Sequence, residues 1–367
     1  MRQRGRYDGG GEDGGMTDTL VRTSAALEPD DRAALIDSVR RLLADRCTEA
    51  DVRRIMDGEC GHDPELWRVL ADLGVVGLLV PEVSGGAGLS APELELVMEE
   101  AGAALLPAPL ISTAIASVLA PELDGVADGS RIAAVAFVGA YDWTRRSDVR
   151  VDGDRLSGTA HFVPDAAIAN TILVASDDGV FAVDSADVTI TPLPVFDRTR
   201  RMADVAFHGP AKRIGDRSHI PAARDIGLVA LAGEQAGGAR RMLEMTVAYA
   251  TERHQFGRAI GSFQAIKHMA ADLLLESESA ISAARDAARQ VAEGSAGKDA
   301  AVALAAFACG DAFVRVARDG IQMHGGIAFT WAHPAHLFLR RARSGAQLYG
   351  DSAHWRERYI QALEARA

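Results

Sequence analysis

Apolar residues recur at helical spacing through the first third of the chain. They change to short, β-branched runs in the middle and return to helical spacing from Pro221 onward. In the first block, ALIDSVRRLLADR (34–46), PELWRVLADLG (64–74) and APELELVMEEAGAALL (91–106) read as helices. Asp63-Pro64-Glu65 supplies an N-cap, a proline in the first turn and an acidic first turn. Gly74 reads as a C-cap and Ser90 as an N-cap. Between them, GLLVPEVSGGAGLS (77–90) is a short buried run followed by a glycine-rich loop. From about 130 to 208 the runs IAAVAFV, VRVDGDRLSGTAHFV, TILVAS, GVFAVD, VTITPL and MADVAFH read as strands. Gly153-Asp154 and Asp177-Asp178-Gly179 look like hairpin turns. Helices are then predicted over about 221–253, 263–293 and 298–319 (ending at Gly320), after Pro334, and over about 352–364. No internal repeat is visible.

The predicted class is α+β, mostly α. It comprises an N-terminal helical domain (28–122), a small central antiparallel β domain (123–218) and a C-terminal four-helix bundle (219–367). Residues 1–27 are expected to be disordered: MRQRGRYDGGGEDGG is glycine-rich and polar, has no apolar core of a signal peptide, and leaves Met16 as an alternative start.

Composition narrows the function. The 367 residues are 48% hydrophobic and 25% charged, with a net charge of −12. That balance argues against a nucleic-acid binder and against anionic membranes, while leaving room for a local basic pocket. Cys47, Cys60 and Cys309 are scattered, without CxxC spacing, which suits a reducing cytoplasm rather than structural zinc. No run of 18 apolar residues appears, so no membrane span is expected.

Two stretches carry candidate chemistry. In YATERHQFGRAIGSFQ (249–264), Arg253 offers a cationic fork suited to a phosphate, or else a helix-end charge. Gly257 and Gly261 let the chain bend between helices. In IQMHGGIAFTWAHPAHLFLRRARS (321–344), Gly325 and Gly326 could expose backbone N–H groups to a phosphate or ribose, or form an ordinary loop. His324, His333 and His336 cluster here, without a third ligand placed to make His333 and His336 a metal site.

With LWRVLADLGVVGLLVPEVSGGAGLS (66–90), these stretches resemble the three signatures of the acyl-CoA dehydrogenase family, in the family's order, over residues 30–365. The resemblance implies that fold, FAD as cofactor, an acyl-CoA substrate and α,β-dehydrogenation. It implies cofactor contacts from Arg253, Phe256, Gln264, Gln322, Gly325, Gly326 and Ser352. Because the family's second loop reaches a neighbouring subunit's FAD, it also implies a homo- or hetero-dimer or tetramer with an acyl-CoA dehydrogenase-like chain. An electron-transfer flavoprotein is the family's usual electron acceptor. Ala328 and Ala332 stand where the family usually has glycine and an acid. Phe162-Val163-Pro164 replaces its Trp-Ile-Thr/Ser segment, and its Thr-Glu-Pro loop has no counterpart in 107–150.

The family's catalytic glutamate occurs at either of two positions. Here one is Gly350, in Tyr349-Gly350-Asp351-Ser352, and the other is Gly227. Neither can take a proton. Asp351 and Glu234 are the candidate displaced bases, with Asp225 nearby. Each has a structural alternative: a helix N-cap for Asp351, a buried ion pair for Glu234, an acidic first turn for Asp225. Three readings follow: a subunit of a hetero-oligomer whose partner supplies the base, a self-sufficient dehydrogenase with a displaced base, or a structural subunit without flavin.

Overall fold

The computed structural model describes residues 27–58 and 61–366. The expected disorder of residues 1–27 therefore lies, but for Leu27, outside the described residues, as does Cys60. Helices α1 (Pro29–Arg46), α2 (Glu49–Asp57), α3 (Pro64–Asp72), α4 (Ala91–Ala103) and α5 (Leu110–Leu119) form the first block. The caps work as the sequence suggests. Asp63 accepts from the N–H groups of Glu65 and Leu66, and Ser90 and Glu93 close a capping box. Gly74 takes φ +82°, and the N–H of Val75 reaches back to Leu70.

The central strands are β1 (Ala133–Phe137), β2 (Arg150–Asp152), β3 (Arg155–Pro164), β4 (Thr171–Ser176), β5 (Gly179–Asp184), β6 (Thr189–Pro192), β7 (Met202–Pro210) and β8 (Lys212–Gly215). They make two four-stranded sheets, ordered β1-β4-β5-β8 and β2-β3-β7-β6. Pairing is antiparallel except between β1 and β4, where Ala133 stands opposite Thr171. The chain leaves the first sheet after β1 to build β2 and β3 in the other, so β4 returns beside β1 in the same direction. A bulge interrupts the β3–β7 register between Ala160 and Val163. Within it Phe162 adopts φ +56°, the local re-aiming that bulges provide.

The C-terminal helices are α6 (Ile220–Glu252), α7 (Gln264–Glu293), α8 (Lys298–His324), α9 (Ala335–Gly345) and α10 (Ser352–Glu364). A two-stranded ribbon, β9 (His254–Gln255) and β10 (Arg258–Ala259), joins α6 to α7. α6 is the centre of the molecule and packs on α4, α5, α7 and α8. Gly102 of α4 and Gly237 of α6 abut the carbonyls of Glu234 and Glu99, leaving no space for a β-carbon, so the two helices cross closely. Gly320 was expected to end a helix, but α8 runs through it to His324. A β-carbon there would stand 2.6 Å from Met242 Cε, so this glycine serves helix packing rather than termination. The α8 stretch is long and apolar enough to cross a membrane by composition, and most of it is buried within the bundle.

Candidate active site

A cleft of about 1130 Å³ lies between the β domain and the C-terminal helices. One wall is aromatic. Trp143 lies 6.4 Å from Phe162 and 6.2 Å, edge-on, from Tyr349, which in turn meets Phe137 at 6.0 Å. The bulge in β3 gives the cleft Phe162, and the turn before α10 gives it Tyr349, Gly350 and Asp351. Tyr349 and Gly350 are consecutive left-handed residues, at φ +61° and +118°. Phe162 keeps the apolar surface expected there.

Four carboxylates line this cleft, and each is engaged. Asp142 accepts from the Thr144 hydroxyl and from the N–H groups of Thr144, Arg146 and Ser147. Burial alone would raise its pKa, but these donors hold it below the ordinary carboxylate value. Asp197 pairs with Arg341 at 3.1 Å and accepts from Thr199 and Ser344. Glu357 is exposed and accepts from Gln361. Asp351 is exposed, and its Oδ1 caps α10 by accepting from the His354 N–H at 2.8 Å.

Glu234 lies behind the cleft. Its carboxylate takes Arg200 Nη2 at 2.7 Å and Arg341 Nη1 at 2.9 Å. Burial pushes its pKa up, yet the two guanidiniums prevail and keep it below the ordinary range. A general base for a weak carbon acid needs a raised pKa and a free lone pair. Glu234 has neither, and the ion-pair alternative is the one realised. Arg341 also donates to Thr199 Oγ1 and to the carbonyls of Leu105 and Leu106, so one buried network ties all three blocks together. Asp225 pairs with Lys298 at 2.7 Å, at the start of α6. At Gly227 a β-carbon would stand 2.7 Å from Ile115 Cδ1, so α5 occupies the space of a side chain there.

A second group gathers where α6 and α8 end. The Tyr249 ring stacks on His324 at 4.6 Å, and His324 meets His333 at 4.6 Å. This contact joins the two C-terminal stretches of interest. Arg253 follows one turn after Tyr249 as the exposed C-cap of α6, and Gly325 follows His324 at φ +69°. Gly325 and Gly326 have open space at their Cα atoms. Phe256 is 92% exposed and meets Phe263 edge-on at 6.2 Å, and Gln264 is exposed at the start of α7. Gln322 lines a smaller groove of about 350 Å³ with Phe196, Ala328 and Trp331. Phe196 also lines the main cleft, so the two spaces adjoin. Ser352 is turned away from such a role: its hydroxyl donates to Asp311 at 2.9 Å and accepts from Arg356.

Sequence reasoning missed Arg200, Arg341, Trp143 and Trp355. Arg200 could have been suspected from FDRTRRM (196–202), where a charged run sits between two strands. It also missed Asp165, at φ +58°, which accepts from the Ser112 hydroxyl at 2.5 Å. Burial raises the Asp165 pKa, but this acid opens on a chamber of about 20 Å³ and not on the cleft.

The acyl-CoA dehydrogenase N-terminal domain model matches residues 29–125, and the C-terminal domain model matches residues 225–363. An acyl-CoA dehydrogenase IpdE2 from Mycolicibacterium smegmatis is 34% identical over 316 residues, covering 84% of this chain and 91% of the relative. Acyl-CoA dehydrogenase FadE34 from Mycobacterium tuberculosis is 38% identical over 328 residues, covering 85% of this chain but 45% of FadE34. Among solved structures, a Tcur3481–Tcur3483 steroid ACAD variant superposes with a TM-score of 0.84 at 28% identity, over 92% of this chain and 98% of that one. The ChsE4–ChsE5 complex from Mycobacterium tuberculosis gives 0.83 at 26% identity, with the same coverage.

Proposed function

This chain belongs to the acyl-CoA dehydrogenase family, and we propose that it acts as the flavin-binding, base-deficient subunit of a hetero-oligomer that desaturates an acyl thioester. The observation that carries this reading is the state of the acids. Among the described residues, no carboxylate lining the cleft is both buried and free to accept a proton. The Cα–H beside a thioester is too weak an acid for an exposed carboxylate in water, so the base must be buried and come from elsewhere. Two similar structures bear names that join two chains, Tcur3481–Tcur3483 and ChsE4–ChsE5, which favours a second, different subunit.

FAD fits the residues present. The cleft is roomy and aromatic-walled, and among the described residues its three buried side-chain atoms without a hydrogen-bond partner are all donors. The flavin, when bound, is the hydride acceptor. Arg253, Gln264, Gln322, Gly325 and Gly326 would hold its phosphate and adenosine portion, with Phe256 packing against it. Trp143, Phe162 and Tyr349 exclude water from the reacting end. An electron-transfer flavoprotein is the acceptor that family membership favours, and the cytoplasm is the compartment that the free thiols of Cys47 and Cys309 favour. The self-sufficient alternative rests on Asp351, whose position as a helix cap opposes it.

Purification of the chain alone and with a co-expressed family member that carries the glutamate tests this. The expected result is a stable mixed oligomer containing FAD. A colourless mixed oligomer, or no association, contradicts it.

A further inference from the structure

The corner vacated by the missing glutamate is lined by a donor. Trp355, in the first turn of α10, is 4% exposed, and its indole Nε1–H has no hydrogen-bond partner. A β-carbon on Gly350 would stand 2.8 Å from that nitrogen and 3.1 Å from His354 Cδ2. Gly350 thus lies close against a buried, unpartnered N–H that the β-carbon of any larger residue would crowd. Both residues line the cleft.

Trp355 is not alone. Arg224 lays its guanidinium 5.9 Å from the Trp355 ring centre, and its buried Nε is also without a partner. Arg200, 8% exposed at the cleft, keeps Nη1 unpartnered while Nη2 holds Glu234. Among the described residues, every buried side-chain polar atom on this cleft that lacks a partner is a donor. A buried donor left unmade costs about 1–3 kcal/mol. A cleft wall that buries three of them suits a ligand that brings acceptors.

We propose that Trp355 Nε1–H, beside Gly350 at the wall of the cleft, donates a hydrogen bond to the carbonyl oxygen of the acyl thioester. The inference rests on the reading of the cleft as the acyl-thioester site. In place of a proton acceptor, this chain presents a neutral, directional donor, with the Arg224 guanidinium stacked behind it. Such a donor strengthens as charge develops on the carbonyl oxygen during loss of the α-proton. Trp355 is therefore a carbonyl-orienting residue that works with a base supplied by the partner chain. A flavin ring also carries carbonyl acceptors, and the experiment separates the two sources.

The test compares binding of an acyl-CoA and of the matching alkyl thioether, which lacks the carbonyl, to the FAD-loaded oligomer and to its Trp355→Phe variant. Phenylalanine keeps a buried ring and deletes only the N–H. The wild type is expected to favour the thioester, and the variant to lose about tenfold of that preference while thioether affinity and FAD content stay unchanged. In the wild type, one of the four tryptophan indole N–H resonances is expected to move downfield with the thioester and not with the thioether. This measurement stands even where the variant does not fold. An unchanged thioester preference in Trp355→Phe overturns the inference, as does a loss of FAD with the preference intact, or the absence of any such resonance. Failure of the wild type to bind either analogue overturns instead the reading of the cleft on which it rests.

Discussion

Gly350 lies against the Trp355 indole so closely that a β-carbon on it would stand 2.8 Å from Nε1. The family's proton-accepting position is therefore not simply lacking a side chain; it is filled by a neighbour. Restoring the acid is expected to fail. Gly350→Glu must place a side chain at φ +118°, which only glycine adopts cheaply, and must displace Trp355. The variant should lose about 1–3 kcal/mol of stability and gain no dehydrogenase activity. A thermal melt and a dye-reduction assay on the purified variant check both halves.

Removing Glu234 should harm the fold rather than only the chemistry. Glu234→Gln leaves Arg200 and Arg341 buried without their shared counter-charge, a loss of about 3–5 kcal/mol. Because the folded pKa of Glu234 is held below its ordinary value, its contribution is present above the unfolded pKa and disappears as pH falls through the folded one. Acid denaturation of wild type and variant should converge at low pH and diverge toward neutrality.

Glu95 should behave in the opposite sense. It is buried in α4 beside Glu99, with Oε1 unpartnered. Burial, then the neighbouring Glu99 charge, push its pKa up to about 9. The folded state thus holds a proton that the unfolded chain releases above about pH 4.5. Its drag on stability grows as pH rises from there to about 9. Glu95→Gln removes this, and its melting temperature should exceed the wild type's by several degrees at pH 8, with little difference at pH 4.5.

The histidines near the Gly325 loop set an acid limit. Burial, then Arg53 and Arg340, lower the His336 pKa to about 4, and burial lowers those of His324 and His333. The unfolded chain takes up protons near pH 6.5 that the folded one refuses, so stability is lost as pH falls from about 6.5 toward 4. His324→Ala, which removes the ring stacked on Tyr249, should weaken FAD retention about tenfold while leaving the melting temperature of the apoprotein within a few degrees. Flavin titration across pH 5–8 follows both effects.

The large elements were legible because their periodicities are strong. The switch from helical to strand spacing, the caps at Asp63, Gly74 and Ser90, and the long final helices all appear at the expected places. Gly320 misled because glycine has two uses, and helix packing against Met242 won over termination. The parallel β1–β4 pair was invisible because sheet order is a tertiary property. At the site, local motifs pointed to Arg253 and Gly325. The buried network of Asp197, Thr199, Arg200, Glu234 and Arg341 instead joins residues as far apart in the chain as Asp197 and Arg341, which no spacing rule reaches. The Trp355 donor was hidden in the same way. It gains meaning only from its closeness to Gly350, which the fold sets.

The most direct test of the account is acyl-CoA-dependent reduction of an artificial electron acceptor. It should be measured on the FAD-saturated chain alone and on its complex with a family member that carries the glutamate. Turnover is expected from the complex, lost when the partner's glutamate is changed to glutamine, and absent from the chain alone. Turnover by the chain alone at the rate of the complex, abolished by Asp351→Asn, would contradict it.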